Sequence, residues 1–136
     1  MSVAMTLNLS ERATEFIRAR AAERRRDVDE VVEEVLEEIR RASEFPGIVF
    51  VDRPGGGRKS KIDGGMDVWE YVFIAAGYDW DPARTAEHLC QPERNVQIAL
   101  EYYRAYPDEV DERLRRMDEF DRDPQSFCPR IRAVQV

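Results

Sequence analysis

Residues 5–9 alternate apolar and polar side chains with a period of two, which predicts a short strand with two different faces, and Val3 extends its apolar face. The apolar face comprises Val3, Met5, Leu7 and Leu9. The opposite face comprises Ala4, Thr6 and Asn8. A lone strand leaves its backbone hydrogen-bonding groups unpaired. We therefore expect this strand to pair antiparallel with its copy in a second chain, which gives a twofold homodimer.

Two helices are predicted directly after this strand. Ser10 can cap the first, which we expect to end near Arg24–Arg26. Its apolar face comprises Ala13, Phe16, Ile17 and Ala21. Asp27 can cap the second, whose apolar stripe comprises Val28, Val31, Val32, Val35, Leu36 and Ile39. One strand and two short helices bury too little surface to fold alone, so we expect the dimer to complete their core.

The segment Met5–Ser10 and the two predicted helices resemble the ribbon-helix-helix family of bacterial repressors and antitoxins. In that family the paired strands lie in the DNA major groove, where their outward-facing side chains read bases. The resemblance implies that Thr6 and Asn8 face the bases, with Ala4 at the edge of the strand. An asparagine suits adenine, and a threonine suits a base edge or the thymine methyl group.

The resemblance also implies contacts with the DNA backbone at the turn between the two helices. Arg24, Arg25 and Arg26 are the candidates for charge contacts, and the helix start at Val28 would lie near phosphate. Family members usually carry glycine in this turn, whereas this chain has four other residues there, at 25–28. The alternative is a ribbon that dimerises and never touches DNA.

The charge distribution bears on this choice. The net charge of -7 opposes DNA binding, because neutralising phosphates needs clustered basic residues. Residues 1–26, however, contain six Arg against three Glu, while residues 27–47 contain two Arg against eight acids. The positive charge is concentrated where the resemblance places the DNA, and a local patch matters more for binding than the total.

A boundary is predicted at residues 45–47, because proline and glycine there stop the second helix. Residues 48–51 then form a predicted strand, 53–57 a glycine-rich turn and 58–62 a return strand. This turn is no phosphate loop, because Arg58 stands where such a loop needs the glycine before its lysine.

Residues 66–123 have helical patterning. The first helix of this region shares one face among Val68, Tyr71, Val72, Ala75 and Ala76. The next helix has Asp79 or Asp81 as its cap and Pro82 at its first position, with Ala83, Ala86 and Leu89 following. A third, over residues 93–106, turns Val96, Ala99, Leu100 and Tyr103 inward. The short second and third helices have helix-turn-helix dimensions.

If the third helix of this region is a recognition helix, Arg94, Asn95 and Gln97 near its start would reach DNA. Residues 66–106 are net -4, which opposes that role and favours packing or partner binding. Tyr102, Tyr103 and Tyr106 could stack on bases, but aromatic residues at helical spacing are more often core.

The stretch Phe50–Leu114, and above all Ala99–Asp111 with its three tyrosines, resembles a small bacterial family catalogued as a domain of unknown function. That family is associated with antitoxins whose cognate toxins are nuclease-like. Members commonly carry a Gly-Thr-Arg step before the first helix, where this chain has Asp63-Gly64-Gly65-Met66. The resemblance implies an antitoxin whose partner is a toxin protein.

The expected fold class is mainly α, with an N-terminal ribbon-helix-helix dimerisation arm, a small β-hairpin and a helix-turn-helix-like three- or four-helix domain. The expected divisions are 1–45 for the arm, 46–65 for the hairpin linker, 66–123 for the helical domain and 124–136 for a C-terminal tail. The tail contains Phe127, Ile131 and Val134, and it either folds onto a partner or is disordered.

No catalytic, metal or cofactor site is expected. The lone histidine, His88, and Cys90 would lie on different faces of a helix, which disfavours a cysteine-histidine pair. The start of the chain lacks the pattern of a signal peptide, and no apolar run approaches membrane-spanning length, so we expect a cytoplasmic protein without a membrane partner. The expected partners are a second copy, double-stranded DNA and a toxin. A dimeric interaction module that does not bind DNA is the alternative.

Overall fold

The computed structural model describes residues 1–122, and that part of the chain is mainly helical, with six helices and one two-stranded antiparallel sheet. The first two helices are α1 (Glu11–Arg24) and α2 (Val28–Glu44). The strands are β1 (Ile48–Asp52) and β2 (Arg58–Ile62). The remaining helices are α3 (Val68–Ala76), α4 (Pro82–Leu89), α5 (Glu93–Ala105) and α6 (Pro107–Arg122). The tail at 124–136 lies outside the described residues.

Helices α1 and α2 form a helical hairpin whose ends follow from local sequence. The Ser10 side chain accepts a hydrogen bond from the Ala13 amide at 3.2 Å, which confirms the predicted cap. Arg25 ends α1 in the left-handed region, with φ of 52°. That region favours glycine, so an arginine there costs roughly 1 kcal/mol. Asp27 then begins α2 as its N-cap residue, as predicted, although its side chain makes no capping hydrogen bond.

Residues 1–10 are exposed and belong to neither a helix nor a strand within the single chain. The predicted strand over residues 3–9 has no pairing partner among residues 1–122, where β1 and β2 pair with each other. A strand is stabilised by its neighbour, so an isolated chain offers this segment nothing to pair with.

The β-hairpin forms where the sequence predicts it. Strand β1 pairs antiparallel with β2, with Ile48 opposite Ile62 and Asp52 opposite Arg58. The turn contains three consecutive glycines with positive φ, Gly55, Gly56 and Gly57. Both Ile48 and Ile62 are buried, which joins the hairpin to the helices that follow it.

The core lies among the hairpin and helices α3, α4, α5 and α6. Its largest buried side chains are Tyr71 and Tyr102, each with 0% exposure. Tyr102 packs edge-on against Phe45 and Phe50, with ring centroids 5.6 and 6.3 Å apart. Helix α5 therefore packs against α3 and α4 on one side and against Phe45 and β1 on another. We use "body" below for residues 46–122 and "arm" for residues 1–44.

One burial prediction in the body is wrong, because Ala76 is exposed. Tyr103 is half-buried and packs against the core, as expected, and its neighbour Tyr102 is fully buried. Ala83 is exposed. Thr85 is buried, and its hydroxyl donates to the Asp81 carbonyl at 2.8 Å, which satisfies a polar group in the core. Asp81 and Pro82 begin α4 as predicted.

Helix α2 is attached to the body along its last two turns. The Arg41 guanidinium lies 3.9 Å from the centre of the Tyr106 ring and donates to the Tyr102 hydroxyl at 3.1 Å. The Tyr106 hydroxyl donates to Glu44 at 2.9 Å. Burial, more than any neighbouring charge, raises the pKa of Tyr102 above its ordinary value. The Tyr102 hydroxyl therefore keeps its proton, and its oxygen accepts the hydrogen bond from Arg41.

None of the helices within residues 1–122 combines the length and the apolar character that crossing a membrane would require.

Candidate dimer and nucleic-acid interface

The arm contains an open apolar concavity of about 550 Å³ between the start of the chain and the helical hairpin. It is lined mostly by apolar side chains, namely Leu7, Leu9, Ala13, Phe16, Ile17, Val32, Val35 and Leu36. Leu7 and Leu9 come from the apolar face of the predicted strand. The structure therefore brings the strand's apolar face and the apolar faces of both helices to one surface.

This surface is uncovered in the single chain. Phe16 and Leu36 are 54% and 58% exposed, and Ile39 on the next turn of α2 is 58% exposed. Of the eleven large hydrophobic residues that are exposed within residues 1–118, nine lie in the arm. An exposed apolar concavity of this kind is typical of a protein–protein interface.

The opposite face of the predicted strand carries the candidate base readers. Ala4, Thr6 and Asn8 are all exposed. None of the hydrogen bonds described for residues 1–122 uses the side chain of Thr6 or Asn8. Both side chains therefore keep their donors and acceptors for another molecule.

The arginines of the α1–α2 turn differ sharply in their surroundings. Arg24 forms an ion pair with Glu34, lies 3.6 Å from the Asp52 carboxylate and is 16% exposed. Arg26 donates to Glu30 at 3.0 Å and also pairs with Glu34, and these two acids raise its pKa. Arg25 is exposed and pairs with no carboxylate within residues 1–118. Of the three, Arg25 is the guanidinium without an ion pair in that part of the chain.

The start of α2 leaves backbone N–H groups open. Because the Asp27 side chain makes no capping bond, the first-turn amides at Val28 and its neighbours have no side-chain acceptor. Val28 is 42% exposed. Asp29 and Glu30 in this turn interact favourably with the positive end of the helix dipole. Their negative charges also repel an approaching phosphate.

The residues at the start of α5 are partly engaged within the body. Asn95 donates to Gln91 at 3.3 Å, and Gln91 also accepts from the buried Tyr71 hydroxyl at 2.9 Å. Gln97 lies 3.5 Å from a Glu93 oxygen. Arg94 is exposed and has no ion pair in the described part of the chain. Asn95 is thus a packing residue, while Arg94 and Gln97 face outward.

Sequence reasoning missed the acids that neutralise the turn. Glu34 lies ten residues after Arg24, and Asp52 belongs to the hairpin. Arg58 on β2 donates to Glu38 of α2 at 2.6 Å and to Asp52 at 3.0 Å, and it lowers the pKa of Asp52. The sequence of the basic run at 24–26 does not indicate these partners, because tertiary packing brings them close to the arginines.

Comparisons with models of protein families, with curated proteins and with solved structures gave no match.

Proposed function

We propose that the chain is a homodimeric, DNA-binding transcription regulator, the antitoxin of a type II toxin–antitoxin pair that represses its own promoter and neutralises a nuclease-like toxin. The observation that carries the proposal is the uncovered apolar surface of the arm, which lies behind a segment, residues 5–9, that alternates apolar and polar side chains. A second copy of this surface would cover it and would pair the two segments as a ribbon.

In such a dimer the odd-numbered residues of the ribbon turn toward the helices and the even-numbered residues turn away. Thr6 and Asn8 would then lie together with their counterparts on one exposed face, in a ribbon narrow enough to enter the major groove. Arg25 and the open amides at Val28 would flank this face and meet phosphate. The proposal thus assigns base reading to the ribbon and positioning to the α1–α2 turn.

Toxin binding is assigned to the body and to the tail at 124–136. The support is the resemblance of Phe50–Leu114 to an antitoxin-associated family, together with the acidic character of the body. An acidic surface complements the basic surface of a protein that binds RNA or DNA.

The DNA-reading claim is tested by gel-shift titrations on the promoter next to the gene, over a range of salt concentrations. We expect Thr6→Ala with Asn8→Ala to weaken binding by at least about 1,000-fold, because the dimer loses four base contacts that contribute about 1–3 kcal/mol each. The matched control is Arg94→Ala with Gln97→Ala on α5, which we expect to leave the affinity unchanged. Absence of wild-type binding, or indifference to the ribbon substitutions, removes the claim.

A second candidate is a dimeric interaction module that does not bind DNA. The capture of Arg24 and Arg26 by Glu34 favours it, because those two charges are already neutralised. Co-purification of a stable complex with the product of the adjacent gene, combined with no DNA affinity at low salt, would select this candidate.

A further inference from the structure

We propose that the groove between the helical hairpin α1–α2 and the tip of the β-hairpin binds a phosphate group of the DNA backbone. The inference rests on the proposed function and adds to it a contact supplied by the body. The groove measures about 360 Å³. It is lined by five arginines, Arg20, Arg24, Arg26, Arg53 and Arg58.

The groove is locally positive in an acidic chain. Its five arginines face three carboxylates, those of Glu23, Glu34 and Asp52, whereas the whole chain has a net charge of -7. Guanidinium groups gathered at the walls of a cleft attract an anion more strongly than dispersed charges do. A phosphate oxygen is the acceptor that a planar guanidinium fits best, since two parallel N–H groups can donate to it.

Three of the arginines form ion pairs that hold the walls of the groove in place. Arg24 and Arg26 share Glu34. Arg58 donates to Glu38 at 2.6 Å, which ties β2 to α2. These pairs fix the position of the hairpin tip against the α1–α2 turn. The other two arginines form no ion pair among residues 1–118, and Arg20 is close enough to Asp52 to lower the pKa of that carboxyl group.

Arg20 and Arg53 are the two that would bind the anion. Arg20 forms no ion pair within residues 1–118, its guanidinium lies 5.2 Å from the centre of the Phe16 ring, and its buried Nε has no hydrogen-bond acceptor there. A buried donor without an acceptor is unusual and costs about 1–3 kcal/mol. Arg53 donates from Nε to the Gly56 carbonyl at 3.1 Å, which orients its guanidinium across the turn. Both side chains line the same groove, one from each wall.

The hairpin tip suits close approach by a backbone phosphate. Gly56 and Gly57 form part of the groove's lining, so no side chain obstructs entry on that side. A Cβ added to Gly57 would lie 3.2 Å from the Arg53 guanidinium and would press on it. Glycine at this position therefore leaves room for the arginine as well as for the anion.

Two features favour DNA over an acidic segment of protein. Arg26 lines the groove and stands two residues before Val28, so the groove continues the surface that the proposed function turns toward DNA. The groove also shares no lining residue with the apolar concavity of the arm, although Arg20 of the groove lies over the ring of Phe16 in that concavity. In the dimer it would occur twice, once at each side of the ribbon.

The test uses the full-length dimer, with Arg20→Gln combined with Arg53→Gln. The charge-matched control is Arg18→Gln with Arg104→Gln, since both arginines are exposed, unpaired within residues 1–122 and outside the groove. The first probe is inorganic phosphate, followed through the arginine Nε–Hε NMR signals, which are assigned by their loss in each single variant. The second probe is the promoter DNA, titrated at several salt concentrations.

We expect phosphate to shift the Arg20 and Arg53 signals, whereas chloride at equal ionic strength leaves them in place. A plot of log affinity against log salt concentration should be less steep for the groove variant than for the wild type, by about 2 in its slope. This value corresponds to the loss of one phosphate contact in each protomer of the dimer. We expect the control variant to leave the slope unchanged. An unchanged DNA slope in the groove variant, with no phosphate-specific shift, overturns the inference.

The outcomes separate this inference from the proposed function. If the wild-type protein binds no DNA but phosphate shifts both signals, the proposed function fails and the groove stands as an anion site. If DNA binding depends on Thr6 and Asn8 but not on Arg20 and Arg53, the proposed function stands and the inference fails. An equal loss of slope in the groove variant and in the control also overturns the inference. The loss would then result from the lower total positive charge and not from the groove.

Discussion

The arm and the body of this chain bury apolar surface in different ways. Twelve of the fourteen buried hydrophobic residues within residues 1–118 lie in the body, where Tyr71 and Tyr102 are fully enclosed. The arm has two, Ala21 and Val31, and it leaves Phe16, Leu36 and Ile39 half exposed. The body thus encloses its core within one chain, whereas the arm leaves an apolar face in contact with water.

The difference teaches that one amphipathic pattern can serve two purposes. In α5 the apolar residues meet other elements of the same chain. In α2 a short stretch near Arg41 is attached to the body, while the stripe through Val32, Val35 and Leu36 faces an open concavity. The same helix therefore joins the body at one end and offers an interface at the other. The following substitutions test this contrast.

Removing the central aromatic residue of the body should have the largest effect. Tyr102→Ala leaves a cavity among Phe45, Phe50 and Tyr106, so we expect the free energy of unfolding of the body to fall by about 3–5 kcal/mol. Urea unfolding of the full-length chain measures it. The control is Phe73→Ala, since Phe73 is 61% exposed and should change stability by less than about 0.5 kcal/mol. Equal losses in the two variants would refute the assignment of the core.

Dilution should separate the arm from the body. At a concentration a hundredfold above the dissociation constant of the dimer, partner binding adds about 2.7 kcal/mol to the stability of whatever folds with it. We expect amide hydrogen exchange to become faster in α1 on dilution and to stay constant in α3 and α5. Protection that is independent of concentration in all three helices would show that the arm folds without a partner.

The junction between the two regions should contribute a smaller amount. Arg41→Met removes the donor to the Tyr102 hydroxyl and the cation over the Tyr106 ring. We expect a loss of about 1–2 kcal/mol in the free energy of unfolding, since a buried hydroxyl loses its partner. Thermal unfolding monitored by circular dichroism measures it. Arg40→Met is the neighbouring control, because the contacts of Arg40 are with exposed acids of the same helix. A larger loss at Arg40 than at Arg41 would count against the junction.

The smallest expected effect is a gain within the arm. Arg25 lies in the left-handed region, so Arg25→Gly should raise the free energy of unfolding of the arm by about 0.5–1 kcal/mol. The same substitution at exposed Arg18, inside α1, should lower it by about 1 kcal/mol. Thermal unfolding of the two variants at one protein concentration compares them. A loss at both positions would show that the turn tolerates arginine without strain.

Much of this architecture was predictable, because helix and strand ends depend on neighbouring residues. Ser10, Asp27 and Asp81 begin helices, and the proline and glycine at 46–47 separate α2 from β1. Burial in α5 was less predictable. A helix packed on one side has one apolar stripe, but α5 meets elements on two sides, and so Tyr102 is buried as well as Val96.

The surroundings of the candidate site could not be predicted from local pattern. Residues 24–26 are a basic run in the sequence, yet Glu34 of the next helix captures two of the three charges. Arg20 and Arg53 line the same groove, although they are 33 positions apart in the sequence. Hydrophobic periodicity contains no information on such a pairing. The apolar alternation over residues 5–9, in contrast, is a local signal, and it led directly to the prediction of a dimer.

The central claim is that the apolar surface of the arm is covered by a second copy of the chain. Sedimentation equilibrium of the wild-type chain, of Leu36→Lys and of Phe73→Lys tests it most directly, since Leu36 and Phe73 are almost equally exposed, at 58% and 61%. The account predicts a mass of two chains for the wild type and for Phe73→Lys. For Leu36→Lys it predicts a dissociation constant at least about 100-fold higher, because a charge would be buried in the interface. A wild-type monomer, or a dimer that Leu36→Lys leaves intact, would contradict it.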